Sequence, residues 1–191
     1  MPRGTETRQR MLDSAADLFH TQGYHATGLN QLVAAGGAPK GSLYFHFPGG
    51  KEQLAAEALE VSGERLGGVL RQLLEAAADP ADAIATVVEL LAKTLAESDF
   101  QRGCPIATVA LDAAAESEAI RSACAGSYGA WHRTIADYLA RQGIEPERAE
   151  ALAVVALSSI EGALMLAKLN RDLAPMYAVG AHLRETYAKE T

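Results

Sequence analysis

Ala38-Pro39-Lys40-Gly41-Ser42-Leu43-Tyr44-Phe45-His46-Phe47-Pro48-Gly49-Gly50-Lys51-Glu52 is the stretch on which the reading of this chain turns. Pro39 suits a first helical position, where its missing N–H is not needed. The helix it opens can run only about two turns before Pro48 and the paired glycines stop it. Within those turns stand a cation, a glycine, a serine hydroxyl, a phenol and an imidazole. Such a helix offers hydrogen bonds along its outer face, which suits base edges and phosphates in a DNA groove. Leu43 and Phe47, four residues apart, form its core side. Phe45 points elsewhere, either toward a thymine methyl or into packing. Gly41 weakens the helix by about 1 kcal/mol relative to Ala, a cost that a close approach of backbone to DNA would explain.

Upstream, Leu12, Ala15, Ala16 and Phe19 recur at i, i+3, i+4, i+7 and predict a helix over about 5–21, ended by Gly23 in a left-handed cap. Thr27 reads as the N-cap of a helix reaching about Ala35, with Leu29, Leu32 and Val33 inward. Two short helices joined at Gly36-Gly37, with a longer one before them, make a helix-turn-helix unit. Downstream the pattern predicts helices over about 51–78, 80–97, 105–115, 118–142, 146–170 and 173–189, punctuated by Pro80, Pro105, Gly143 and Pro146. No repeat, low-complexity tail or plausible strand emerges.

The 191 residues are 49% apolar, with Ala and Leu prominent and aromatics only 6%, a bias toward helix over sheet. No apolar run reaches the ~20 residues that span a bilayer, the N-terminus has no signal-peptide core, and two cysteines make no disulfide framework. A soluble, cytoplasmic protein without a membrane partner is expected. The net charge is −7, yet residues 1–51 carry five cations against three anions, so the acidity lies beyond them. A mildly basic segment can bind DNA through few phosphate contacts per copy, which calls for more than one copy.

The N-terminal third resembles the TetR family of transcriptional repressors. The residues that carry the resemblance are Arg8, Leu12, Ala16, Phe19, Gly23, Tyr24, Thr27, Gly37, Gly41, Leu43, Tyr44, His46, Phe47, Lys51 and Leu54. Pro48-Gly49-Gly50 is one residue longer than the general family link. With Ala38-Pro39-Lys40-Gly41-Ser42, Gly103-Cys104-Pro105-Ile106 and Ile160-Glu161-Gly162-Ala163, it resembles the LmrA-type branch. The resemblance implies an all-α fold: a DNA-binding head over residues 1–47 and a helical ligand-binding and dimerisation body over 48–191. It also implies a homodimer on a palindromic, double-stranded DNA operator, released by a small hydrophobic or aromatic effector.

Within that frame the DNA-contacting candidates are Thr27, Lys40, Gly41, Ser42, Tyr44, His46 and Lys51. Helix N-termini bind anions readily, which suits Lys51 and a phosphate. Arg8 and Arg10 are either solvated or part of an arm along the DNA backbone. The candidate effector lining is Leu66, Leu70, Val88, Leu91, Cys104, Thr108, Leu111, Tyr128, Trp131 and Met165, although a packed core would give the same pattern. The candidate dimer face is Gly162, Ala163, Leu166, Val179, Leu183 and Tyr187, with Gly162 and Gly180 permitting close helix approach. Glu161 is either a pocket group or an interface hydrogen-bonder. Cys104 reads as a small buried hydrophobe. No glycine-rich phosphate loop, metal-ligand spacing or catalytic constellation is visible, so no cofactor and no enzyme is expected. The rival readings are a helical enzyme or carrier, and a DNA-binding protein that takes no ligand.

Overall fold

The computed structural model describes residues 3–37 and 39–190, with residues 3, 4 and 40 described by backbone alone. The described residues form α1 (Arg3–Gln22), α2 (Leu29–Ala35), α3 (Lys40–His46), α4 (Gly50–Ala76), α5 (Pro80–Glu97), α6 (Pro105–Ala113), α7 (Glu118–Arg141), α8 (Pro146–Asn170) and α9 (Ala174–Ala188). No strand is present among them. The all-helical expectation holds.

The prolines set the starts. Pro80, Pro105 and Pro146 each open a helix just after a residue whose side chain takes an otherwise orphaned N–H. Asp79 accepts from the Asp82 amide at 2.8 Å, Cys104 Sγ from Ala107 at 3.4 Å and the Glu145 carboxylate from Arg148 at 3.0 Å. Pro39 behaves differently from expectation. With φ −63° and ψ 151° it is the N-cap of α3, and the first helical residue is Lys40.

The chain divides into two units that interrupt each other in sequence. One takes the residues up to Arg65 together with Cys104–Ser127, the other Leu66–Gly103 and the residues from Tyr128 on. This differs from a split after residue 47. In the first unit Met11, Leu12, Ala15 and Phe19 of α1 are buried with Leu32, Leu43, Phe47, Leu54, Ala55, Ala58, Ile106 and Val109. The start of α4 and all of α6 therefore belong with the helix-turn-helix. Leu29, expected inward, is on the outside of α2.

In the second unit α5 packs on both α8 and α9. A Cβ at Gly180 would stand 2.9 Å from Val88 Cγ1, so the small residue is needed for α9 to approach α5. Gly180 thus serves packing within the chain and not contact with a second copy. Ala163, Leu183 and Tyr187 are likewise buried inside this unit, and the Tyr187 hydroxyl donates to the Leu152 carbonyl at 3.3 Å. Burial raises its pKa well above the usual tyrosine range. These three cannot form the outer face for which the sequence suggested them. The apolar side chains that α8 and α9 do expose are Val154, Val155, Met165, Leu166, Leu169 and Tyr177, with Gly162 half-buried among them and open above its Cα. Val179 is half-buried.

Candidate nucleic-acid interface

α3 is a seven-residue helix anchored by Leu43 and Phe47, both essentially inaccessible to solvent. Sinking those two residues turns Tyr44 and Phe45 outward, at 58% and 78% exposure. Exposed large aromatics on one short helix are costly in water unless something covers them. Gly41 is exposed, and a Cβ there would meet nothing within 4 Å. Ser42 and His46 are half-buried. His46 stacks edge-on against Phe45, with ring centroids 4.9 Å apart. The side chain of Lys40 lies outside the described residues. The packing alternative for Phe45 therefore fails: its ring meets its neighbour's imidazole and solvent.

The link to α4 is tight. Phe47 donates to the Leu43 carbonyl at 2.7 Å and Gly50 to the Phe47 carbonyl at 2.8 Å. Gln53 Oε1 accepts the Gly49 amide at 2.8 Å and Gln53 Nε2 donates to Glu57. Arg8 completes this network: its guanidinium pairs with Glu57 and lies 4.9 Å above the Phe47 ring. Arg8, its side chain 39% exposed, is thus tied to the chain and is not part of a free arm. Its charge holds α1 to α4 beneath α3's anchor.

Lys51, in the first turn of α4, places its ammonium 4.2 Å over the Tyr24 ring. Burial lowers its pKa from the ordinary lysine value, and the Asp112 carboxylate works in the opposite direction. The arrangement holds a cation by cation–π attraction close to the first turn of a helix, where the N–H groups also favour an anion. Thr27 overturns its expectation. Its side chain is 0% exposed and the hydroxyl donates to the Gly23 carbonyl at 2.7 Å. Gly28 is the N-cap of α2, with no side-chain cap. Thr27 closes the turn from inside and reaches no phosphate.

That turn has a partner the sequence did not reveal. Gly23, at φ +80°, adopts a backbone that glycine tolerates. The turn after it sits against the end of α6. The His25 amide donates to Asp112 Oδ2 at 2.8 Å, and the His25 ring lies 3.4 Å from Glu116 Oε2. Ser117 Oγ donates to Glu52 of α4.

The expected effector lining scatters. Leu66, Leu70, Val88, Leu91, Tyr128, Trp131 and Met165 fall in the second unit, and Cys104, Thr108 and Leu111 in the first. Leu111 is 83% exposed and Met165 50% exposed, so neither is an enclosed wall. Tyr128 and Trp131 do come together, edge to face at 5.1 Å. The Tyr128 hydroxyl donates to Glu161 Oε1 at 2.8 Å, which gives Glu161 a partner in the otherwise apolar middle of α8. A Cβ at Gly67 would lie 3.2 Å from the Trp131 indole, so that glycine makes room for the ring. Both cysteines are buried and unbridged.

The comparisons with known proteins agree with this geometry. The family model for bacterial regulatory proteins of the tetR family matches residues 11–58, and that for the transcriptional regulator LmrA/YxaF-like C-terminal domain matches residues 80–182. The chain is 36% identical over 178 residues to YxaF of Bacillus subtilis (strain 168), an uncharacterized HTH-type transcriptional regulator, with 93% of each chain covered. The crystal structure of a TetR transcriptional regulator from Chloroflexus aurantiacus J-10-FL superposes with a TM-score of 0.84 at 30% identity, over 100% of this chain and 98% of the other. A cysteine mutant of the TetR-family regulator CifR, complexed with 26-bp double-strand operator DNA, gives a TM-score of 0.77 at 28% identity, over 94% and 95% of the two chains. The chain belongs to the TetR family of DNA-binding transcriptional regulators, in the LmrA/YxaF-like branch.

Proposed function

We propose that this chain is a ligand-responsive repressor. It binds a palindromic operator as a homodimer in the cytoplasm, and a small, largely hydrophobic effector releases it. It acts by binding and not by catalysis. The observation that carries the reading is the outward face of α3: Gly41, Tyr44 and Phe45 are exposed to solvent, the Tyr44 ring beside Gly50 and the Phe45 ring against His46, while Leu43 and Phe47 fix the helix from behind. A face of that size and shape suits a major groove.

The apolar face of Val154, Val155, Met165, Leu166, Leu169 and Tyr177 supports two-fold pairing of α8 and α9 with a second copy. α8 is long and apolar enough to cross a membrane, but its opposite side is buried in the chain's own core, which favours a protein partner over lipid. Two-fold pairing presents two α3 faces to two half-sites, roughly 34–36 Å or a multiple apart. For the effector, the reading keeps Tyr128 and Trp131 with Leu66 and Leu70, and Glu161 as the polar group; aromatic faces beside apolar walls suit a flat organic molecule.

The test has two stages. Selection from random-sequence DNA should yield a palindrome bound by two chains, measured by sedimentation. A panel of flat aromatic compounds should then contain members that quench the fluorescence of Trp131, the only tryptophan, and that dissociate the complex. Failure to enrich any sequence overturns the operator reading. Compounds that bind without affecting DNA overturn the responsive part alone.

A further inference from the structure

α6 ends awkwardly. Asp112 is its penultimate residue, and Glu116 follows one turn later, where the negative end of the helix dipole disfavours carboxylates. No basic residue in the last turn offsets them. Both acids instead engage the turn between α1 and α2. Asp112 Oδ2 accepts the His25 amide, and Glu116 meets the His25 ring. Gly23, in the same turn, brings the backbone so near that a Cβ would touch Asp112 Oδ2 at 3.0 Å. Elsewhere the turn satisfies itself: Gly23 bonds to Phe19, Thr27 to Tyr24, and the Thr27 hydroxyl to Gly23. The His25 amide goes to another helix, 87 residues along the chain.

We propose that Asp112 is a positioning residue for DNA recognition: its carboxylate fixes the α1–α2 turn through the His25 amide, and so sets the attitude of α2 and α3 from a helix outside the DNA-binding segment. The matched DNA-binding model ends at residue 58. The charge of the same carboxylate is also felt by Lys51, the cation over Tyr24 at the start of α4. Its neighbour Leu111 is 83% exposed and makes no comparable contact, which provides a control on the same turn of helix. The inference rests on DNA recognition through α3.

The experiment compares full-length wild type with Asp112→Ala, Asp112→Asn and Leu111→Ala. Operator affinity is read by fluorescence anisotropy on a duplex selected from random-sequence DNA. Exchange of the His25 amide is read by NMR. Loss of an acceptor that is charged should weaken operator binding about tenfold in Asp112→Ala and speed His25 exchange at least as much. The melting temperature should not change, because the side chain is exposed. Asp112→Asn keeps an oxygen that accepts the amide and should stay within about threefold of wild type. Leu111→Ala should match wild type. The proposal is overturned if Asp112→Ala binds like wild type, if Asp112→Asn falls as far as Asp112→Ala, or if Leu111→Ala falls equally. Should Asp112→Ala not fold, Asp112→Ser takes its place in both assays and is judged by the same outcomes. Wild type that selects no duplex would instead refute DNA recognition through α3.

Discussion

Replacing Phe45 by Ala isolates one contact in the proposed recognition of DNA. The ring is 78% exposed and stacks edge-on against the His46 imidazole, so its removal should leave the melting temperature nearly unchanged. The proposed partner of this ring on DNA is the methyl group of thymine, the apolar group that the major groove presents. If the contact buries about 50 Å² of apolar surface, at about 25 cal/mol per Å² it contributes about 1.2 kcal/mol per half-site. Two half-sites then give about 2.5 kcal/mol, close to seventyfold in affinity. Anisotropy titrations on the selected operator measure this. The decisive form of the assay replaces single thymines by deoxyuridine, which deletes the methyl and nothing else. Wild type should lose affinity at one position per half-site, while Phe45→Ala should be indifferent to the methyl at that position. If both proteins lose equally at every deoxyuridine, or if Phe45→Ala binds as tightly as wild type, the thymine contact is wrong.

Lys51→Ala should weaken binding to all sequences alike and reduce the slope of log affinity against log salt by about one per head, since one phosphate is no longer neutralised; identical slopes for variant and wild type would count against the phosphate contact. Leu169→Glu places a charge on the exposed apolar face of α8 and should give a folded monomer by light scattering, with tight operator binding lost; an unchanged dimer would remove α8 from the interface.

Helix number and ends were legible because punctuation in this chain is chemical. Pro80, Pro105 and Pro146 supply φ and remove a donor where none is needed, and the helices they open begin where expected. The inner faces of α8 and α9 were not legible. α8 is rich in Ala and apolar over most of its surface, so periodicity does not separate its inner side from its outer one; on α9 the stripe through Met176, Leu183 and Tyr187 is regular, but spacing does not say whether it meets this chain or a second copy. Leu183 and Tyr187 went inward, and Val154, Val155 and Leu169 outward, on differences that only the crossing with α5 decides. Thr27 misled for a local reason. A threonine before a helix can cap it or can bond backward to the preceding turn, and here it bonds backward to Gly23. On α3 the alternation of buried Leu43 and Phe47 with exposed Tyr44 and Phe45 was readable from spacing alone. The seat of the His25 amide was not, because nothing in a sequence joins residue 25 to residue 112.

The interleaving of the two units has a consequence for how the chain comes into being. The unit containing the helix-turn-helix lacks α6 and the start of α7 until residue 127 has been made, although its first 65 residues are long since complete. At ~5–20 residues per second, a ribosome takes about 3–12 s to cross that gap. During that interval α1 lacks α6, one of the helices it packs against, and the second unit has begun before the first can close. A nascent chain in this state presents apolar surface to whatever attends the exit tunnel. A graft that joined residues 1–47 to a foreign body would carry the same unfinished surface permanently.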